Sequence, residues 1–422
     1  MLIQFTIGNF LSFKDKTTFS MVASKYRDHN EHVFKALSNI KLLKSSAIYG
    51  ANASGKSNLI KAMNFMKRFV LFSTKGSIES PINVNNFKLA VEMDNKPSFF
   101  EIVFIIDKII YRYGFETTIS EILGEWLYYS RADKEYLLFE RKRNKFNINR
   151  NTFKEGLNLK NKTRNNSLFL SVVAEFNGII SNKIIEWLHN FNVITGLNDY
   201  SLFTAKLLEF DDMKYNIINL LKTADLFIEN IKKQEKSIER TSLPINKNVK
   251  LLPDGNFKLV NFVTFHNKYK NGKVIGKSLM DMDSEESEGT KKYFSLSGPI
   301  LDTLINGKIL VADEFDARLH PLLLINLIQL FNSEINNKNA QLIFVAHDVA
   351  LLNRKYLRRD QIWFTEKDKY ESTKLYSLDK YKIRNDYNIE KNYLLGKFGG
   401  IPIINNIDIK DIFGNNEKYI YE

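Results

Sequence analysis

The sequence contains no cysteine among its 422 residues. A disulfide framework and a cysteine-ligated metal site are therefore excluded. It also lacks any run of about 18 apolar residues, the length that a membrane-spanning helix requires. The apolar residues that follow Met1 are too few for a secretory signal. Together these absences predict a cytoplasmic protein without a membrane span.

Acidic residues are outnumbered by basic ones, so the formal net charge is +13. An excess of positive charge favours a polyanionic partner such as DNA. The same excess also arises in a chain that is simply rich in lysine, and both interpretations stay open. With 422 residues, the chain is long enough for about two or three domains.

A glycine-rich loop at Gly50–Ser57 matches the pattern G-x-x-x-x-G-K-[ST] at every fixed position. A short apolar strand, 46–49, precedes it, and a helical apolar period runs from Lys56 to about Val70. An ordinary glycine-rich helix cap is the alternative, but strand–loop–helix is the setting in which backbone N–H groups bind phosphate. We expect Lys56 to reach the β- and γ-phosphates of ATP and Ser57 to ligate Mg²⁺. The expected nucleotide-binding residues of the loop are Gly50, Asn52, Ala53, Ser54, Gly55, Lys56, Ser57 and Asn58.

Two carboxylates end a second apolar strand, in which 309–312 are followed by Asp313 and Glu314. A buried parallel strand has this composition, and functional residues lie at its carboxyl end. We expect Asp313 to hold the Mg²⁺ and Glu314 to orient and polarise the attacking water. Two solvated acids in a strand-end turn are the alternative interpretation.

The segment Glu286–Thr290 resembles the L-S-G-G-Q signature of ABC ATPases, although three of its positions differ. Ser287 and the backbone N–H of Gly289 are the expected contacts to a γ-phosphate, aided by the N-terminus of the next helix. A simple N-cap of that helix is the alternative.

Two further elements complete the order of ABC ATPase motifs. Asp316–Pro321 resembles the D-loop pattern D-x-x-L-H-P, with Asp316 as an expected nucleotide contact. His347 follows a second buried strand and resembles the switch histidine that touches the γ-phosphate, although a lone histidine is more often structural. We find no convincing Q-loop glutamine; Asn86 occupies roughly that region.

The periodicity of the chain suggests three regions. Residues 1–141 are expected to form an N-terminal ATPase lobe with the phosphate loop and a β-meander of strands at 99–106, 109–116, 122–129 and 136–141. Residues 142–257 are expected to be a mainly helical insertion for a partner or DNA, in which 232–250 is charged and solvated. Residues 258–422 are expected to form the C-terminal ATPase lobe and a short tail. Some aromatic residues of the insertion could anchor a partner, although we expect most of them to belong to the core. They are Trp187, Phe191, Phe203, Phe210 and Phe227.

The whole chain resembles the compact AAA-type ATPases of the ABC class, relatives of the SMC, RecF and OLD proteins. The resemblance includes Ile7–Phe13, the phosphate loop, Asp313-Glu314 and Leu319–Pro321. The ending Tyr393–Pro402 resembles the ATPase subunits RloA and AbiLi of bacterial restriction-linked and abortive-infection loci. The resemblance of the whole chain implies an α/β fold: an ABC-type P-loop ATPase core with a mixed β-sheet, helices and a helical insertion.

The resemblance also implies a function. Such subunits bind ATP and Mg²⁺, close as a head-to-tail homodimer and control a separately encoded effector, often a TOPRIM-type nuclease. We expect no nuclease activity in this chain itself. A RecF- or SMC-like ATPase of DNA repair that binds DNA directly is the alternative. A third reading, a scaffold that barely hydrolyses ATP, is disfavoured by the carboxylate of Glu314.

Overall fold

A computed structural model describes residues 1–131, 134–224, 226–238, 249–251, 257–384 and 387–402. The described strands are β1 (Leu2–Gly8), β2 (Thr17–Ser20), β3 (Val33–Lys35), β4 (Lys41–Leu43), β5 (Ser45–Gly50), β6 (Ser98–Ile106), β7 (Ile109–Thr117), β8 (Ile122–Arg131), β9 (Lys134–Lys142), β10 (Lys145–Ile148), β11 (Phe191–Thr195), β12 (Asn230–Ile238), β13 (Val249–Leu251), β14 (Phe257–Lys270), β15 (Lys273–Asp281), β16 (Ile309–Asp313), β17 (Gln341–Val345), β18 (Ile362–Lys367) and β19 (Thr373–Ser377). The described helices are α1 (Lys56–Phe72), α2 (Phe169–Glu175), α3 (Ile179–His189), α4 (Ser201–Leu207), α5 (Asp211–Thr223), α6 (Glu288–Asn306), α7 (Pro321–Asn332) and α8 (Ile389–Leu394).

The central sheet has the strand order β11-β16-β17-β5-β18-β19. All its neighbours are parallel except β18 and β19. Residues 309–312 and all of β17 are buried, as expected for strands that are covered on both faces. Because β5, β16 and β17 are parallel, the phosphate loop, the acidic pair and His347 all follow carboxyl ends at one edge of this sheet.

A second, antiparallel sheet has the order β10-β9-β8-β7-β6-β1-β2. The expected β-meander is confirmed, since β6 to β9 pair successively in antiparallel register. Helix α1 lies against both sheets: its Leu59 and Met63 share one buried core with Phe100 of β6 and with Ile48 of β5. The helix that begins at the phosphate loop is therefore fixed by apolar packing on two sides.

A buried carboxylate joins the meander to the helices that follow it. Glu125 accepts hydrogen bonds from the backbone N–H groups of Phe169 (2.6 Å) and Leu170 (2.9 Å) at the start of α2. It also accepts one from the Tyr113 hydroxyl (3.0 Å) and lies 3.6 Å from the guanidinium of Arg141. Burial raises the pKa of Glu125, while Arg141 and these donors oppose the rise.

The segment 142–257 differs from the expected mainly helical insertion. Helices α2 to α5 lie within 169–223, but β11 is an edge strand of the central sheet, paired in parallel with β16. The charged stretch from residue 232 is exposed over most of its described part, as expected, but it forms β12, which pairs with β14. Its Ile231 is buried while most of its other described side chains are exposed, so the apolar alternation that marks a strand is weak. The remainder, 239–248, lies outside the described residues.

A third sheet holds β12, β13, β14 and β15 and packs on α6. Phe262 of β14 meets Phe294 of α6 with ring centroids 5.0 Å apart. The far end of the β14–β15 hairpin is exposed. Among the described residues, none of the helices combines the length and the apolar character that a membrane crossing requires.

Candidate functional site

The phosphate loop runs from Gly50, the last residue of β5, to Lys56, the first residue of α1. Gly55 has a φ of 107°, a conformation that favours glycine. A Cβ there would also overlap the side chains of Thr373 and Ser12. Gly55 therefore permits both the turn of the loop and its close packing against Thr373 and Ser12. Together these orient the start of α1 toward the loop.

Lys56 is the buried cation of this loop. Only 5% of the residue is exposed, and its Nζ donates to the carbonyl oxygens of Gly50 (2.7 Å) and Ala51 (2.9 Å). Burial lowers the pKa of Lys56, and the carboxylates of Asp313, Asp316 and Glu314 oppose this. The ammonium is thus already placed inside the turn where phosphate oxygens are bound in a P-loop.

Ser57 and Asp313 meet across the sheet edge. The Ser57 hydroxyl donates to Oδ1 of Asp313 at 3.1 Å, although 256 residues separate the two in sequence. A hydroxyl and a carboxylate are the hard oxygen ligands that Mg²⁺ prefers. These residues therefore fit a magnesium ion held between the phosphate loop and β16.

Glu314 lies in the wall of a cavity at the phosphate loop. That cavity is lined by Ser12, Asn52, Ala53, Ser54, Gly55, Lys56, Ser57, Asn58, Lys61, Glu314, His347 and Lys367. Glu314 has a φ of 48°, which is uncommon for a residue with a side chain and recurs at functional sites. Its backbone is crowded by Gly196, where a Cβ would collide with the Glu314 carbonyl oxygen. The N–H of Gly196, the residue after β11, also donates to the backbone carbonyl of Asp313 (2.7 Å) and so helps to fix the backbone of the acidic pair.

Asp316 does not line the cavity; it organises the segment that carries His347. One carboxylate oxygen, Oδ2, accepts the backbone N–H groups of His347 (2.5 Å) and Asp348 (2.8 Å). The His347 side chain is exposed on the cavity wall. Within this chain Asp316 therefore positions the switch-like segment, and the direct nucleotide contact expected of it stays a prediction.

Ser287 and Gly289 lie at the start of α6. The Ser287 hydroxyl accepts the backbone N–H of Thr290 at 3.1 Å, which is an N-cap. Glu288 forms an ion pair with Arg318 (3.1 Å), so this turn lies against the D-loop-like segment. Neither Ser287 nor Gly289 belongs to the described residues that line the phosphate-loop cavity. Within one chain, the signature-like turn therefore contributes nothing to that cavity.

Asn86, which occupies the Q-loop region, serves a structural network. Its amide donates to the Lys96 carbonyl (3.2 Å) and accepts from the Ser98 hydroxyl (3.0 Å). It is absent from the described lining of the phosphate-loop cavity. No nucleotide contact is therefore assigned to Asn86.

Two polar residues of the site, Lys367 and Thr373, carried no sequence signal of their own, and Ser12 belonged to the Ile7–Phe13 resemblance without a predicted role. The Ser12 hydroxyl accepts a hydrogen bond from the amide of Asn58 (2.7 Å) and forms another with the hydroxyl of Thr373 (2.7 Å). Thr373 also donates to the carbonyl of Ser54 (2.9 Å). Lys367, at the end of β18, adds a second ammonium to the cavity wall. A strand-end position beside β5 is the only feature that could have pointed to Lys367.

Comparison with known proteins gives a family and a set of similar folds. An SMC head bound to the C-winged helix domain of ScpA is similar at 12% identity and a TM-score of 0.45, over 89% of this chain and 97% of that one. The SMC head domain from Thermotoga maritima is similar at 12% identity and a TM-score of 0.40, over 89% and 98%. An SMC head from Pyrococcus furiosus, bound to the C-terminal domain of ScpA, is similar at 11% identity and a TM-score of 0.38, over 94% and 98%.

No curated protein sequence matches the chain significantly. The family model described as "AAA domain, putative AbiEii toxin, Type IV TA system" matches residues 45–353, which include the phosphate loop, the acidic pair and His347. The chain has the mixed α/β architecture of an ABC-type P-loop ATPase. It belongs to this family of AAA ATPase domains.

Proposed function

We propose that the chain hydrolyses ATP at the cavity between the phosphate loop and the acidic pair. The observation that carries this proposal is the convergence of Lys56, Ser57 and Glu314 in one cavity wall. Lys56 would bind the β- and γ-phosphates, and Ser57 with Asp313 would hold Mg²⁺, which neutralises phosphate charge when bound. Glu314 would accept a proton from the water whose oxygen attacks the γ-phosphorus, as the bond to the ADP leaving oxygen breaks.

The complete site is proposed to need a second copy of the chain. Ser287 and the N–H of Gly289 are outside the cavity that holds Lys56. In one chain they therefore do not line the cavity in which a γ-phosphate would bind, and a head-to-tail pair would bring the partner's turn to it. ATP would then join the two copies, and hydrolysis would release them.

The proposed role of this cycle is a nucleotide-dependent switch in an antiphage defence complex. The family description names a putative toxin of a toxin–antitoxin system, and the resemblance to RloA and AbiLi points to a separately encoded effector such as a TOPRIM nuclease. Exposed aromatic rings offer a surface for that partner: Phe203, Phe210 and Phe227 are 40%, 63% and 70% exposed. Trp187 and Phe191, the other expected anchors, are buried in the core instead.

Expression of the chain with and without its genomic neighbours tests this role. We expect ATPase activity from the purified chain, with neither toxicity in cells nor cleavage of DNA or RNA in the presence of Mg²⁺ or Mn²⁺. Toxicity and nucleic-acid cleavage should both appear when the neighbouring protein is present. Toxicity of the chain alone that survives Glu314→Gln would make this chain itself the effector, in line with the family description.

Direct binding of DNA is the second candidate, and the β14–β15 hairpin favours it. The segment 266–280 contains no aspartate or glutamate. Lys270 lies opposite Lys273, and Lys268, two residues before Lys270 on β14, shares their face of the ribbon. Among the described residues, no acidic side chain forms an ion pair with these three lysines. Like charges directly opposite each other destabilise a strand pair, and a polyanion would relieve this.

Charge reversal at the hairpin tests DNA binding against a matched control. Lys142 and Lys145 form the same kind of cross-strand pair in the β9–β10 hairpin. If the β14–β15 hairpin binds DNA, Lys270→Glu with Lys273→Glu should weaken binding and flatten its salt dependence, whereas Lys142→Glu with Lys145→Glu should change both little. If the two double variants weaken DNA binding equally, non-specific attraction by net charge explains the binding, and the β14–β15 hairpin is not a DNA site.

A further inference from the structure

Three metal-ligating side chains converge in the turn before β3. Nδ1 of His29 lies 2.9 Å from Oε1 of Glu31, and Nε2 of His32 lies 3.5 Å from the same oxygen. The three ligand atoms all lie within 4.8 Å of one another. This cluster lies among residues outside the phosphate-loop cavity, so the proposed ATPase site does not account for it.

The outer nitrogen of each ring is fixed by an acceptor. Nε2 of His29 lies 2.7 Å from the backbone carbonyl of Arg354, so that nitrogen carries a proton. Nδ1 of His32 lies 2.9 Å from Oε1 of Gln361. That oxygen also accepts the backbone N–H of Arg358, while the amide nitrogen of Gln361 donates to buried acceptors. The Gln361 amide is thus oriented, and Nδ1 of His32 must be the protonated nitrogen.

The inner atoms of the cluster are consequently all acceptors. With their protons on the outer nitrogens, the neutral rings turn lone pairs of Nδ1 of His29 and Nε2 of His32 toward the carboxylate of Glu31. Three acceptors at this separation repel one another unless a cation lies between them. Either an additional proton on a ring or a metal ion can supply that cation.

We propose that His29, Glu31 and His32 bind a divalent transition metal, with zinc as the reference ion. Two imidazoles and one carboxylate form a common zinc ligand set that leaves one position for water. Tetrahedral bonds of about 2.1 Å separate ligand atoms by about 3.4 Å, close to the 2.9 and 3.5 Å distances to Glu31. Metal-bound histidines donate their other N–H to a carbonyl or amide oxygen, which is the arrangement at Arg354 and Gln361.

Metal binding requires one local movement. The two rings are stacked, with centroids 4.5 Å apart and an interplanar angle of 15°, so their lone pairs lie in two nearly parallel planes and do not meet at one point. His32 is buried and held by Gln361, whereas about a quarter of the His29 side chain (27%) is exposed. The His29 ring would therefore tilt toward Glu31 while His32 stays in place.

The position of the site indicates a structural role. His32 precedes β3, while Arg354 and Gln361 belong to the segment that leads into β18, a neighbour of β5 in the central sheet. An ion at this point would join the N-terminal segment to the segment that enters the strand beside the phosphate loop. This proposal does not rest on the proposed ATPase function.

Zinc titration of the chelator-treated full chain, followed by calorimetry, tests the proposal. We expect one equivalent to bind and to raise the midpoint of thermal unfolding. His29→Ala and Glu31→Gln, both on the exposed side of the cluster, should abolish this equivalent at micromolar zinc. His189→Ala, an exposed histidine elsewhere, should retain it. Cobalt in place of zinc should give the visible absorption of a tetrahedral site in the wild type and not in His29→Ala.

Two results would overturn the metal site. One is the absence of zinc binding by a folded wild-type chain, which would leave an ordinary ion pair between protonated His29 and Glu31. The other is a zinc equivalent that persists in His29→Ala and Glu31→Gln but disappears in Asp313→Asn, because that ion would occupy the proposed nucleotide-linked magnesium site. Circular dichroism of each variant separates loss of ligand from loss of fold.

Discussion

At the scale of single residues, Lys56 is the side chain on which nucleotide affinity should depend most. Its ammonium is bound by backbone carbonyls, so phosphate oxygens must compete with neutral acceptors only. Lys56→Met retains the buried volume and removes the charge. Loss of hydrogen bonds to a charged group costs about 1.5–3 kcal/mol, so ATP affinity should fall on the order of 10- to 100-fold. Calorimetric titration measures this, and unchanged affinity would contradict the assignment of the loop.

Glu314 should separate turnover from binding. Because the proposed proton acceptor is distinct from the phosphate-binding lysine, Glu314→Gln should leave ATP affinity nearly unchanged. Loss of a general base lowers the rate by about 10²- to 10⁴-fold. Phosphate release under single-turnover conditions is the measurement, with the exposed Glu79→Gln as the control. Wild-type turnover in Glu314→Gln would remove this residue from the mechanism.

The residues of the site differ in how far sequence could identify them. Lys56 and Ser57 belong to one contiguous pattern, whose spacing reflects a single turn of backbone. Lys367 and Thr373 come from distant segments that the pairing of β18 with β5 and β19 brings to the loop. Ser12, between β1 and β2, reaches it through hydrogen bonds to Asn58 and Thr373. A serine, a lysine or a threonine has many structural uses, so no local pattern distinguishes these three.

At the scale of elements, the start of α6 combines two roles that one substitution can separate. Ser287→Ala removes the N-cap to Thr290 and should cost about 1 kcal/mol of stability. Ser287→Asp retains a capping oxygen but places a carboxylate where a γ-phosphate is proposed to bind. Both variants should lose ATPase activity, and only Ser287→Ala should lower the unfolding midpoint. Full activity in a stable Ser287→Asp would reduce this turn to a helix cap.

Glu125 should hold the meander to α2. Without the Glu125 side chain, the buried Arg141 loses its carboxylate partner, and two backbone N–H groups at the start of α2 lose their acceptor. Breaking a buried ion pair costs about 3–5 kcal/mol, so Glu125→Ala should lower the midpoint of thermal unfolding by several degrees. Glu121→Ala, whose ion pair with Arg143 lies at the surface, is the matched control and should change it little.

Most elements with a regular apolar period were predictable, and the exceptions have physical causes. Strands β6 to β9 alternate or are continuously apolar, and turn residues separate them. Strand β11 follows α3 with only Asn190 between them, so its apolar residues continue the helical pattern. Strand β12 carries lysines and one glutamate on exposed positions, where the partner strand rather than its own composition decides its conformation.

At the scale of the whole molecule, the arrangement divides the proposed site into two surfaces. The cavity holds Lys56, Glu314 and His347, while Ser287 and Gly289 belong to a turn that packs on Arg318. A folded chain can thus preorganise each half without bringing them together. In the proposed cycle ATP acts as the contact between copies, so ATPase activity should depend on the concentration of the chain.

Mixing two inactive variants tests this division directly. In a head-to-tail pair of Lys56→Met with Ser287→Asp, one site carries both substitutions and the other carries neither. A mixture of the two variants should therefore regain about a quarter of wild-type activity, because half of random pairs are mixed and each has one intact site of two. Each variant alone should stay inactive at the same total concentration. If both variants are folded and the mixture stays inactive, each site is built within one chain, and the head-to-tail arrangement is wrong.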